Sequence, residues 1–277
     1  MKILWYNIYV YNIREEYNQM GKVIAVTNQK GGVGKTTTSV NLAACLAYEG
    51  KKTLIIDCDP QCNATSGLGY DRQDYTLSVY DCLINPKKTA DAIIKTKYSN
   101  LYILPSSSDL SAAEIELAFE DKREGFLKRV TNSVKSDFDF IIIDAPPALG
   151  MITINVMTAC DSILIPIQCE YYALEGLSQL MLTIKKVKTL YNPRLYILGI
   201  LVTMFSSRLK IANQVLSEIE KYYEDKLFKT KISRTVTLCE APSYGEPVYY
   251  YARYSKASLE YRDVAREIIS RTGGFII

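Results

Sequence analysis

The chain has no histidine among its 277 residues. That absence removes Ser-His-Asp and Cys-His nucleophiles and the HExxH metal site. Paired CxxC spacing is also missing. Cys58 and Cys62 stand close in sequence, but no second pair and no imidazole complete a zinc site. The seven cysteines are odd in number and scattered, which fits a reducing cytoplasm better than a disulfide framework. No apolar run is long enough to span a bilayer. The apolar stretch 1–10 is broken by Asn7, and no small-residue cleavage site of a signal peptide follows it. A strong charge of either sign is lacking too. The net charge is +3 and the pI about 8.3, so any nucleic-acid partner has to be argued from where individual Arg and Lys residues fall. Chemistry is left to lysine, aspartate, hydroxyls, backbone N–H groups and a bound cation.

What is present reads as one folded domain at the large end of the usual range, 48% hydrophobic and 23% charged. Residues 1–20 differ from the rest, with Trp5, Tyr6, Tyr9, Tyr11 and Tyr17 in a short space. They read as an N-terminal extension. It is either an unstructured leader or a start placed ahead of the true one at Met20, with a partner-binding arm as the alternative. Residues 21–277 read as the single domain. Within it, strands are expected over 22–29, 53–59, 101–105, 138–144, 162–168 and 195–204. Helices are expected over 36–50, 111–134, 173–190, 210–223 and 255–270, and a Tyr- and Pro-rich loop over 240–258. Nearly continuous apolar strands between helices mark a parallel sheet buried on both faces. The fold class is therefore α/β: three layers, a mostly parallel central sheet flanked by helices, joined by right-handed crossovers. A ligand belongs at the carboxyl ends of the strands.

The loop after the first strand carries Lys30, Gly31, Gly32, Val33, Gly34, Lys35, Thr36 and Thr37. Glycines let successive N–H groups converge on one centre, and the following helix adds its positive end. Lys35 reaches the β and γ phosphates, and the Thr36 hydroxyl holds Mg²⁺. Strand, loop, Lys-Thr and helix in that order predict a P-loop fold and a nucleoside-triphosphate site, with ATP and Mg²⁺ as cofactors. A carboxylate at the end of the second strand faces this loop. Asp59 is placed to orient or polarise the attacking water, or alternatively to cap the following turn, and Asp57 supports the Mg²⁺ shell. The apolar run ending at Asp144 reads as Walker B, delivering one carboxylate to the metal.

The form KGGVGKT (30–36) has Gln29 where the general motif has glycine, and a lysine directly before Gly31. In this it resembles the deviant Walker A motif of the ParA/MinD ATPases. DCDPQCNATSGLG (57–69), IIIDAPPALG (141–150), PIQCEYYALEGL (166–177), LGILVTM (198–204) and CEAPSYGEPV (239–248) extend the likeness to the Soj/ParA subgroup over nearly all of the chain from Met20. The resemblance implies an ATP-hydrolysing switch that forms a sandwich homodimer, with Lys30 reaching the partner's nucleotide. It also implies non-specific binding of double-stranded DNA in the cytoplasm, at the nucleoid, and stimulation by a ParB-type centromere-binding protein. Arg208 is its DNA-phosphate contact, with Lys210 and Arg234 nearby. No membrane partner is expected. The alternative, a MinD-like membrane-surface ATPase, needs a basic amphipathic tail, and residues 265–277 are short and interrupted by Gly273 and Gly274. Four positions depart from the family pattern. Cys62 replaces a glycine, Ser233 and Thr235 replace the proline and asparagine of a PRN segment, and Thr237 replaces a basic residue. The last removes one DNA contact.

Overall fold

The computed structural model describes residues 21–273. The aromatic extension 1–20 and the apolar end Phe275, Ile276 and Ile277, on which the two tail readings rest, lie outside the described residues. In chain order the main elements are β1 (Lys22–Val26), α1 (Lys35–Tyr48), β2 (Thr53–Asp57), α2 (Asn63–Gly67), α3 (Val79–Ile84), β3 (Ile94–Lys95), β4 (Leu101–Leu104), α4 (Leu110–Glu116), α5 (Phe126–Val134), β5 (Phe140–Asp144), α6 (Met151–Ala159), β6 (Ser162–Gln168), α7 (Ala173–Leu190), β7 (Tyr196–Thr203), α8 (Lys210–Tyr223) and α9 (Lys256–Gly273).

Seven strands form one sheet in the order β3-β4-β2-β5-β1-β6-β7, parallel except for the antiparallel β3–β4 edge. The chain moves outward from β1 in both directions, so β1 ends at a point where connections diverge. That is where an open α/β sheet leaves a crevice. Both faces of the sheet are covered. Val23, Ala25, Ile141 and Ile143 pack with α3 to α8 on one side, while Ile24, Val26, Ile142 and Leu201 pack with α1 and α9 on the other. Helix α1 is buried almost all round because Ala43, Ala44 and Ala47 let α9 approach closely. The fully buried Tyr261 of α9 shares a 3.2 Å hydroxyl contact with Thr38. Gly50 ends α1 in the left-handed region (φ 84), with its N–H bonded to Ala47 and that of Lys51 to Leu46.

Several expectations are corrected. Beyond β1, residues 27–29 are not strand. Asn28 turns its amide to the Pro166 carbonyl (2.7 Å) and begins the loop. The single helix expected over 111–134 is two. Between α4 and α5, the charged run 120–125 puts Lys122 in a left-handed conformation (φ 54), which breaks the 3.6-residue repeat. Helix α6 and the short strand β3 were not foreseen. Helix α6 has Ile152, Val156 and Met157 but also Thr153, Asn155 and Thr158 among its buried residues, so it presents no polar face to reveal a period. The segment 240–258 is not all loop. Val248–Tyr251 is a helical turn whose Tyr249 ring packs 4.2 Å from Tyr48.

Candidate nucleotide-binding site

The loop between β1 and α1 is built from within. Asn28 Oδ1 accepts the Lys30 N–H (3.0 Å), and Gly32 and Gly34 take positive φ of 74° and 84°. A Cβ at Gly31 or Gly32 would meet nothing within 4 Å, so the concave side of the loop is open. No side chain caps α1 at Gly34, which leaves first-turn N–H groups aimed into that opening. Lys35 is buried, and its ammonium donates to the Lys30 carbonyl (3.0 Å). Burial lowers its pKa, and the nearby Asp144 and Asp59 carboxylates oppose that shift. An open cradle of N–H groups beside a desolvated lysine fits a polyphosphate.

Asp144 ends β5 with no exposed surface. Its oxygens accept the Thr36 hydroxyl (2.8 Å) and the Ser39 hydroxyl (2.7 Å). Burial pushes its carboxyl up to about 7, with the neighbouring Asp57 adding to the rise and the two hydroxyl bonds pulling it back. A hard divalent cation suits this oxygen set. Ser39 escaped the sequence reading. Its signal is the spacing from Thr36, which puts both hydroxyls on one face of α1.

Asp57 is the register partner of Asp144 on the adjacent strand. Its carboxylate turns toward α2, however. Oδ2 accepts the Thr65 N–H (2.9 Å) and hydroxyl (2.7 Å), and Oδ1 accepts the Asp59 N–H (3.1 Å). Burial raises its pKa to about 6. Asp59 lies nearly buried with Oδ1 accepting the Gln61 N–H (3.0 Å), so here it caps the turn while facing Lys35. Lys30 does not fold into its own loop. Its ammonium pairs with Glu170, just past β6, at 2.5 Å. Thr37 lies on the first turn of α1, where its carbonyl accepts the Asn41 amide (2.8 Å).

The basic residues assemble beyond β7. Arg208, Lys210 and Arg234 are all exposed. A parallel bridge between Phe205 and Ser233 sets their two segments side by side. Lys231 joins them, with its ammonium 5.8 Å from the Phe205 ring centre. Ser233 donates both its N–H (2.8 Å) and its hydroxyl (2.6 Å) to Glu260 of α9. Thr237 donates to the Thr235 hydroxyl at 3.1 Å.

Fold and loop together define a three-layer P-loop nucleotide domain, and comparison with known proteins agrees. A family model described as an AAA domain matches residues 21–197. Soj, the sporulation initiation inhibitor protein of Bacillus subtilis, is 52% identical over 249 residues, covering 90% of this chain and 98% of Soj. The chromosome partitioning protein ParA of Myxococcus xanthus is 46% identical, covering 91% of this chain and 89% of ParA. Among solved structures, a cobyrinic acid a,c-diamide synthase from Mycobacterium smegmatis with bound ADP and magnesium superposes with a TM-score of 0.81 at 34% identity, covering 92% of this chain and 96% of that one. The chain belongs to the Soj/ParA family of chromosome-partitioning ATPases.

Proposed function

We propose that this protein is an ATP-dependent DNA-partitioning switch: a Mg²⁺-dependent ATPase that dimerises around ATP, binds duplex DNA without sequence preference at the nucleoid, and is turned over by a ParB-type partner. The observation that carries it is the open glycine cradle closed at its base by Asp144, Thr36 and Ser39. Mg²⁺, when bound, neutralises charge on the transferring phosphoryl group. Thr36 and Asp144 would hold it, with Asp57 behind them. Lys35 and the N–H groups from Gly31 to Thr37 bind the phosphates, and Asp59 orients the water. Lys30 supports the dimer, because its side chain leaves its own loop and pairs at the surface with Glu170, a contact it can exchange for a second subunit's nucleotide.

Arg208, Lys210 and Arg234 supply the duplex contact. They read phosphate charge and therefore carry no sequence preference. Sedimentation velocity with Mg-ATP, with and without a random duplex, tests the reading. The expected result is an ATP-dependent dimer that co-sediments with DNA. A monomer at saturating Mg-ATP that ignores DNA overturns it.

A further inference from the structure

The phosphate loop and the basic loop meet at one place. Thr203, the last residue of β7, is 2% exposed, and its hydroxyl donates to the Val33 carbonyl at 2.8 Å. That carbonyl lies inside the phosphate loop. The next glycine, Gly34, is backed by the same strand end. A Cβ placed on it would first meet Met204 Cε at 3.7 Å and Thr203 Cβ and Cγ2 at 3.9 Å.

Met204 then turns the chain with φ 51, a left-handed conformation that a side chain bearing Cβ rarely adopts. It is held there from both sides. Behind it stands the Thr203–Val33 bond. Ahead, the Phe205 N–H donates to the Ile232 carbonyl (2.8 Å), and Phe205 bridges to Ser233. The loop 206–209 follows and leads into α8 at Lys210. Its Ser207 and Leu209 carbonyls both accept the Asn213 side-chain amide of α8, at 2.8 and 2.9 Å. An unbroken run of contacts therefore leads from Val33 and Gly34 through Thr203 and Met204 to the segment that carries Arg208 and Lys210. Through Phe205 it also reaches Ser233 and Arg234. The left-handed setting of Met204 is intrinsically costlier than an extended one, so it persists because the contacts on both sides hold it.

We infer that Thr203 and Met204 are positioning residues that couple the occupied phosphate loop to the basic loop, so that ATP and duplex DNA each raise the other's affinity through this junction. The inference rests on the proposed role of Arg208 in DNA binding. Linkage gives it a sharp form: the factor by which filling both Mg-ATP sites of a dimer tightens DNA must equal the product of the factors by which DNA tightens those two sites.

The test measures both factors on the full chain, for the wild type, Thr203→Val, Thr203→Ser and Met204→Gly, with a non-specific duplex and a non-hydrolysed ATP analogue. Thr203→Val keeps the shape and removes the donor. Thr203→Ser keeps the donor. The wild type and Thr203→Ser are expected to satisfy that equality, with factors of at least about fivefold. In Thr203→Val and Met204→Gly both factors fall severalfold, leaving the part that dimerisation itself supplies. Nucleotide affinity without DNA, and the ATP-dependent dimer, stay within about threefold of wild type. Undiminished coupling in Thr203→Val overturns the inference. So does loss of nucleotide binding or of the dimer in that variant, since Thr203 would then only build the loop. A wild type that binds no duplex in any nucleotide state sinks the DNA reading itself, and the coupling with it.

Discussion

Cys62 stands with φ 56 at the start of α2, three residues past Asp59. A left-handed residue with a Cβ costs about 1–2 kcal/mol, a cost that glycine would not carry. Against that stand only a half-buried thiol with a 3.4 Å contact to the Pro60 carbonyl and the extra freedom glycine brings to the unfolded chain. Cys62→Gly should therefore raise stability by about 0.5–1 kcal/mol, read as a higher midpoint in thermal unfolding with ATPase activity kept. A lower midpoint would mean the thiol packs better than its exposure suggests. Asp59 calls for a paired test, because its carboxylate caps Gln61 and faces Lys35 at once. Asp59→Asn keeps a cap acceptor and loses the charge. If the residue orients water, the Asn and Ala variants both lose turnover by about 100-fold or more while still dimerising with ATP. If it is only a cap, Asn restores activity. Most of the site was legible at this scale because glycines, lysines and a terminal aspartate follow one another in an order that only a phosphate loop explains. Ser39 was not, since a serine inside a helix has no local signature, and Glu170 was not, since it meets Lys30 only after 140 residues of folding.

At the scale of elements, α1 and β5 are locked together by one buried carboxylate. Asp144 takes hydroxyls from Thr36 and Ser39, with Asp57, Asp59 and Lys35 around it. Its folded pKa, about 7, lies above the unfolded carboxyl near about 4. The stability this contributes is complete below the unfolded value and is lost as pH rises through the folded one. In the metal-free protein Asp144→Asn, which never ionises, should gain on the wild type between about pH 4 and pH 7 in paired melts. Mg-ATP should shrink that gap by favouring the ionised carboxylate of the wild type. A gap that does not change with pH would show that the carboxyl does not titrate in this range. The six parallel strands were legible because each is a short, largely apolar run set deep in the sheet, and α7 and α8 because their apolar residues recur at helical spacing. Helix α6 and the break at Lys122 were hidden for opposite reasons. The first is buried on every side and so has no stripe. The second is a charged run that favours helix locally but turns left-handed where the chain must reach α5.

The whole molecule separates two kinds of lysine and arginine. Lys35 is desolvated at the carboxyl ends of the central strands, while Arg208, Lys210, Lys231 and Arg234 gather beyond β7 at the far edge of the sheet. Duplex affinity should therefore respond to salt through the second group alone. Each phosphate contact removed lowers the slope of log affinity against log salt by about 0.9. Arg208→Ala and Arg234→Ala should each flatten the slope by about that amount and weaken binding equally for unrelated duplex sequences, while ATP affinity without DNA is unchanged. Thr237, whose hydroxyl meets that of Thr235 beside Arg234, is a place to add charge to this patch, so Thr237→Arg should do the reverse, steepening the slope by about 0.9 and tightening the complex. Fluorescence anisotropy on a labelled duplex at several salt concentrations, with Mg-ATP present, measures all three. An unchanged slope in Arg208→Ala would move the DNA surface elsewhere on the molecule. A discrimination between duplex sequences that survives these substitutions would mean the protein reads bases, which phosphate contacts on one exposed loop and its neighbouring segment cannot do.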